Sequence, residues 1–282
     1  MIFIDKEDIT VLEITSVSKG AELTSIKLNS IEKLHDAKCF WNRHAPILFP
    51  IVGKLKNDKT RIGSKTYEMT QHGFARDIEF KKIDNHSYLL TSDDETKKKF
   101  PYDFELYISY EILNNTLVTN CKIVNKSNST MPFGIGFHPA FKCDYSLGNY
   151  YLEFENSEDN LKVMQLIDGY LSNIEINPNN YILKNKMALH SSIFDNDAII
   201  LTNLTSNKVI LRNNENISLI FDFTEFPFLG IWSKKDAPFV CIEPWFSTAD
   251  RTDSDGIFEN KDAILKLNSN QIFECSFSVE FK

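Results

Sequence analysis

Apolar residues fall at every second position in two long stretches of the chain. In FELYISYEI, Phe104, Leu106, Ile108, Tyr110 and Ile112 alternate with polar neighbours that include Glu105, Ser109 and Glu111. In FECSFSVEF, Phe273, Cys275, Phe277, Val279 and Phe281 repeat the pattern. A period of two places alternate side chains on opposite faces of an extended chain, so both stretches read as half-buried antiparallel strands. Shorter or less regular versions occur in ITVLEITSV, AELTSIKLN, EFKKIDNHSYLLTS, LVTNCKIVN, YLEFE, AIILTNL, KVILRN, SLIFDF and FLGIW. Asn114-Asn115, Ser206-Asn207 and Asn213-Asn214 supply turn chemistry between several of them. No stretch longer than about two turns keeps a helical period, and no βαβ rhythm is present. Internal repeats, low-complexity linkers and composition breaks are absent from the sequence. The pattern predicts one all-β domain over residues 1–282, a large antiparallel β-sandwich.

Composition narrows the function classes. The chain has 282 residues, 42% hydrophobic and 25% charged, close to an ordinary globular protein. Its 22 Phe, 10 Tyr and 3 Trp suit strand packing first and sugar-lined clefts second. A net charge of −8 speaks against nucleic acid or an acidic membrane as partner, since both call for a basic face. The five cysteines (Cys39, Cys121, Cys143, Cys241, Cys275) form no CxxC pair and are odd in number. Most sit among apolar neighbours, the usage of buried free thiols in a reducing compartment. MIFIDKEDIT turns acidic where a signal peptide would need an apolar run, and no later segment is apolar enough to span a bilayer as a helix. A soluble, cytoplasmic protein is expected, a monomer or homodimer.

Two polar residues stand out against apolar surroundings. GIGFHPAF carries His138 before a proline, and FVCIEPWF carries Glu243 before a proline. Proline pushes its predecessor into an extended backbone, so both side chains are expected at strand ends with restricted backbones. His138 taken alone is also what a satisfied core histidine looks like. Glu243 is harder to place as packing, because an unpaired buried carboxylate is costly and its pKa should rise. A carboxylate and an imidazole titrating near neutral pH form a general acid/base pair. Of the other histidines, His35, His86 and His190 read as surface residues, His44 as a structural hydrogen-bonding residue, and His72 opens the tight turn of HGFARD. A metal site of His72, His138 and Glu243 is the competing reading. Its members are scattered singly, without the short spacing that preorganises such sites. No Ser or Cys sits in a GxSxG elbow, and no Gly-rich phosphate loop is present.

Four blocks in order, FWNRHAPILFPIVGKLKND, QHGFARD, GIGFHPAF and APFVCIEPWFSTAD, resemble the aldose 1-epimerase (galactose mutarotase-like) superfamily, and look closest to its bacterial LacX-type branch. The resemblance implies a β-supersandwich with an open cleft on a concave face. It implies a mechanism free of metal and cofactor that interconverts the α and β anomers of an aldose. Glu243 matches the family's base at the anomeric hydroxyl, His138 the acid at the ring oxygen, and His72 a second histidine that hydrogen-bonds the sugar.

The chain departs from that pattern at two places. Better-known members carry an Asn-Arg pair where this chain has Asn57 followed by Asp58, so the sugar-binding arginine is not supplied there. Arg76 in HGFAR is the expected substitute, with Arg43 nearby in the first block. The family's substrate-binding aspartate falls in FDNDAII, which offers Asp195 and Asp197; Asp197, directly before an apolar strand, is favoured. The leading expectation is a 1-epimerase of a free hexose. The alternatives are a hexose-6-phosphate 1-epimerase, with Arg43, Lys54 and Arg76 receiving phosphate, and a sugar-binding protein of the same fold without turnover.

Overall fold

The computed structural model describes residues 11–282; the segment MIFIDKEDIT, read above for a signal peptide and for the start of the first strand, lies outside the described residues. Two large antiparallel sheets dominate. The nine-stranded sheet runs, neighbour to neighbour, through Lys186–Ala188, Tyr150–Phe154, Lys208–Asn213, Asn216–Asp222, Ile272–Phe281, Thr116–Asn125, Phe104–Leu113, Ser87–Thr91 and Lys81–Lys82. The eight-stranded sheet runs through Tyr170–Leu171, Lys162–Ile167, Ile199–Thr202, Phe228–Trp232, Phe239–Trp245, Gly136–Phe137 and Ile47–Leu48, with Ala140–Lys142 also paired to Phe239–Trp245. The fold is therefore the all-β sandwich that the alternation predicts.

Both period-two stretches form the strands expected of them, Phe104–Leu113 and Ile272–Phe281, each flanking Thr116–Asn125 in the middle of the nine-stranded sheet. Their alternate residues Leu106, Ile108, Phe277 and Val279 face the main core. There they meet Leu201, Leu229, Ile231, Val240 and Ile242 from the other sheet. Many of the phenylalanines lie in this seam; Phe137 and Phe277, for example, pack with ring centroids 5.0 Å apart across it. Asn114 and Asn214 adopt left-handed backbones at φ 57° and 53° in the turns anticipated for them. Among the described residues the α-helical structure is one short segment, Asp94–Lys97, opened by a capping box between Asp93 and Thr96. Among the described residues no helix is long and apolar enough to cross a membrane.

One surface assignment fails. His35 is buried, its Nε2 2.9 Å from the Trp41 carbonyl and its ring 4.4 Å from that of Phe239. Polar sequence neighbours did not reveal this, because the nearest ring, that of Phe239, comes from a strand about two hundred residues further along the chain.

Because the eight-stranded sheet is covered on one face by the main core, its other face is free to line a cleft. Along Phe239–Trp245 the core takes Val240 and Ile242. Phe239, Cys241, Glu243 and Trp245 point the other way. Along Phe228–Trp232 the core takes Leu229 and Ile231. Phe228, Gly230 and Trp232 again face outward.

Candidate active site

A cleft of about 400 Å³ opens on that outer face, lined among others by Trp41, Arg43, His72, Arg76, His138, Asp197, Trp232, Glu243 and Trp245. Its centre is made by the two X-Pro dipeptides. Gly136 pairs with Trp245 and Ala140 pairs with Cys241, in one unbroken register. Carried through the gap between them, that register sets His138 opposite Glu243, Phe137 opposite Pro244 and Pro139 opposite Ile242. Each proline lacks a ladder N–H, so the pairing opens locally while the register persists. The His138 N–H turns away and donates to the Pro46 carbonyl at 3.1 Å. The imidazole Nε2 and a Glu243 carboxylate oxygen then lie 3.1 Å apart. They are not aligned as a hydrogen bond, and that oxygen has no other partner among the described residues. Glu243 differs from expectation in one respect: it sits well inside its strand, not at an end.

Glycines on both flanking strands make room for the carboxylate's neighbour. The Trp245 indole lies over Gly136 on one side and Gly230 on the other; a Cβ would come within 2.7 Å and 2.9 Å of its ring. Gly230 is also the direct cross-strand partner of Glu243. Trp41 and Trp232 wall in His138, with centroids 4.7 Å and 5.5 Å from its ring.

His72 enters from the opposite side on a left-handed backbone, φ 67°. For a side chain with a Cβ this conformation is strained and persists only where the surroundings hold it. A reciprocal pair of bonds does so: the His72 N–H donates to the Gly53 carbonyl at 2.8 Å, and the Gly53 N–H donates to His72 Nδ1 at 3.1 Å. With Nδ1 an acceptor, the ring proton is on Nε2. Gly73 is required beside it, since a Cβ there would meet the Phe49 carbonyl at 2.3 Å. The His72 and His138 rings are perpendicular at 5.7 Å.

Burial sets the charge states. Desolvation pushes the Glu243 carboxyl well above the usual range, Asp197 adds to the rise, and the Trp245 indole opposes it. His138 is drawn down to about 3, first by burial, with its own backbone opposing and the charges of Arg76 and Arg43 adding. His72 falls well below its ordinary value through burial, then His138, Arg76 and Arg43. Burial thus disfavours charge on all three groups. The facing carboxyl and imidazole of Glu243 and His138 can pass a proton between them, which paired acid and base chemistry at two nearby atoms requires.

The remaining sequence candidates divide. Arg76 and Arg43 both line the cleft. Arg76 donates to the Gln71 carbonyl at 2.6 Å, while its buried Nε has no partner. Arg43 donates to Asp77 at 2.9 Å. Asp77 lies 3.9 Å from Arg76 as well, so one half-exposed carboxylate faces two guanidinium groups. Asp197 lines the cleft, whereas Asp195 faces Lys235 at 3.5 Å and does not. Asn57 is exposed on the turn Lys56–Asp58, outside the lining, with its N–H directed to the Tyr170 hydroxyl. Lys54 is also outside the lining and lies over the Tyr170 ring. The metal reading of the sequence used His72, His138 and Glu243. The ligand atoms the structure gathers, within 4.8 Å of one another, belong to His138, Cys241 and Glu243. Trp41, Trp232, Lys234 and Cys241 were not foreseen; the i, i+2 spacing of Cys241, Glu243 and Trp245 was the available signal for the last.

Comparisons with known proteins identify the family and the fold. A family model described as aldose 1-epimerase matches residues 7–256. The chromosomal LacX protein of Lactococcus lactis subsp. lactis is 30% identical over 266 residues, 88% of this chain and 89% of that protein. A galactose mutarotase related enzyme from Lactobacillus acidophilus superposes with a TM-score of 0.88 at 34% identity, covering 100% of this chain and 97% of its own. A galactose mutarotase-like protein from Lactobacillus casei gives 0.89 at 30% identity, with 99% of both chains covered. On the matched family model, the LacX relative and the shared sandwich, this chain belongs to the aldose 1-epimerase family.

Proposed function

We propose that the chain acts as a single-domain, cytoplasmic hexose 1-epimerase, an isomerase that interconverts anomers by ring opening and closing. The observation that carries this reading is the opposition of Glu243 and His138 across the interrupted ladder, 3.1 Å apart in a cleft of sugar size. Glu243, ionised once a sugar is bound, takes the proton from the anomeric hydroxyl. His138 delivers a proton to the ring oxygen, and the C1–O5 bond breaks to leave an open-chain aldehyde. Rotation about C1–C2 presents the other carbonyl face; as the ring closes His138 takes the proton back from the attacking O5 hydroxyl and Glu243 returns its proton to O1. Protons balance, and no covalent intermediate forms. In this reading His72 hydrogen-bonds the sugar through its Nε2–H and polarises the ring oxygen, while Asp197 and Arg76 receive other hydroxyls. The walls made by Trp41 and Trp232 supply the apolar faces on which sugar C–H groups pack.

Polarimetry tests this directly. Freshly dissolved α-glucose or α-galactose should reach its equilibrium rotation faster in proportion to added protein, beyond the spontaneous rate. Binding by calorimetry with no acceleration of any aldose would support a sugar-binding protein instead.

The shared carboxylate of Arg43 and Arg76 favours a second reading, a hexose 6-phosphate as substrate. Charge-assisted hydrogen bonds to phosphate are worth roughly twice neutral ones. If phosphate is received there, Arg76→Ala should damage turnover of the 6-phosphate far more than that of the free hexose. If Arg76 binds hydroxyls, the change should raise KM for the free hexose with a smaller fall in kcat, the pattern of lost uniform binding. Negligible effects on both would make Arg76 a structural part of the HGFARD turn.

A further inference from the structure

Beneath the proposed acid/base pair lies a third group that this chemistry does not use. Cys241 precedes Glu243 by two residues on Phe239–Trp245, so both side chains leave the same strand face. Cys241 is fully buried, between Ala140 and Phe239, with Trp41 and Trp232 packed alongside. Its Sγ, a ring nitrogen of His138 and a carboxylate oxygen of Glu243 all fall within 4.8 Å of one another. A further observation marks one of these groups as available: the Glu243 oxygen that faces His138 is buried with no hydrogen-bond partner among the described residues.

We infer that His138, Cys241 and Glu243 form an inhibitory site for a borderline-soft divalent cation such as Zn²⁺. Bond lengths of about 2.0–2.3 Å set tetrahedral ligand atoms roughly 3.3–3.7 Å apart, so the widest separation must close by about 1–1.5 Å, a movement two side chains can share. One thiolate, one imidazole and one carboxylate suit Zn²⁺ or Co²⁺ and not Mg²⁺ or Ca²⁺, which take oxygen ligands. On binding, the Cys241 thiol and the Glu243 carboxyl each release a proton, and His138 contributes a neutral nitrogen lone pair. The fourth position opens on the cleft. The bound ion occupies the base and the acid together, so it excludes turnover. That inhibitory consequence rests on the acid/base reading above; the binding itself does not.

The test is a Co²⁺ titration of chelator-treated protein carrying Cys39→Ser, which removes the one exposed thiol. One equivalent should raise a cobalt–thiolate charge-transfer band with tetrahedral d–d absorption, and Zn²⁺, but not Mg²⁺, should erase both. Outer-shell partners of a metal ligand already contribute 10–100-fold to affinity, so adding Cys241→Ser should weaken Zn²⁺ binding by about a hundredfold or more and abolish the thiolate band. His138→Gln should weaken binding while keeping the band, a check that does not depend on folding of the Cys241 variant. Absence of a thiolate band in the parent protein, or equal Zn²⁺ affinity with and without Cys241, overturns the site. If the cobalt spectrum appears but no aldose is epimerised, the metal site stands and the proposed function fails. Epimerisation unaffected by Zn²⁺, with no spectrum, is the reverse.

Discussion

Glu243→Gln should lose nearly all epimerisation while the fold and sugar binding survive. An amide cannot accept the anomeric proton, and general-base effects are worth about 10²–10⁴-fold. The fold should survive because burial disfavours charge at this carboxyl, raising its pKa well above the ordinary range, and Gln matches the acid in shape while carrying no charge. Initial rates by polarimetry, with a melting curve and a sugar-binding isotherm on the same preparation, check all three parts. A rate above about a tenth of the parent's would remove Glu243 from the role of base.

The largest expected loss of stability lies outside the cleft. Lys261 and Asp250 form an ion pair at 2.8 Å, with side chains only 1% and 4% exposed. Asp250 is also a junction for the loop that reaches the cleft. Its second carboxylate oxygen accepts the Lys56 N–H at 2.9 Å, its N–H donates to the Lys54 carbonyl, and its carbonyl accepts the Leu171 N–H. Gly53, which holds His72, is the next residue along that loop. Lys261→Met leaves the carboxylate buried without its counter-charge, a change that costs about 3–5 kcal/mol. For a chain of this size that lowers Tm by about 10 °C. Scanning calorimetry should also show partial recovery in Asp250→Asn/Lys261→Met, which removes both charges and keeps an acceptor for Lys56. No recovery in the double variant would mean that the loss comes from packing of the lysine stem and not from the unpaired charge.

Much of the architecture was legible along the chain. Strands with one face on the core and one toward water carry a period of two, and Phe104–Leu113 and Ile272–Phe281 were read with nearly their final limits. The limits of Phe239–Trp245 were not legible, for a physical reason. It is buried on both faces, against the core on one and the cleft wall on the other, so its sequence shows no alternation. Only the proline marked a strand there, which set its end at Glu243 and left Cys241 without a face. The proline after each of His138 and Glu243 was the stronger local signal, because it constrains the backbone before it wherever the residue lies in the fold.

What sequence by itself determined was therefore local: extended backbones, turn residues, an ionisable pair that apolar neighbours make expensive to bury, and the family blocks that contain them. The tertiary structure decided which of those groups meet. The register that sets His138 against Glu243 depends on strands far apart in the chain being brought side by side, which no local pattern encodes. The same holds for the assignments that changed. Asn57 stays outside the cleft because its turn directs it toward Tyr170, whereas Asp197, the aspartate favoured from the sequence, lines the cleft on a left-handed backbone at φ 72°. His35 is buried against Phe239, a residue that only the folded sheet brings to it. Propensity and proline act on neighbours in the chain; proximity, burial and the pKa shifts they cause arise only when the sheets have packed.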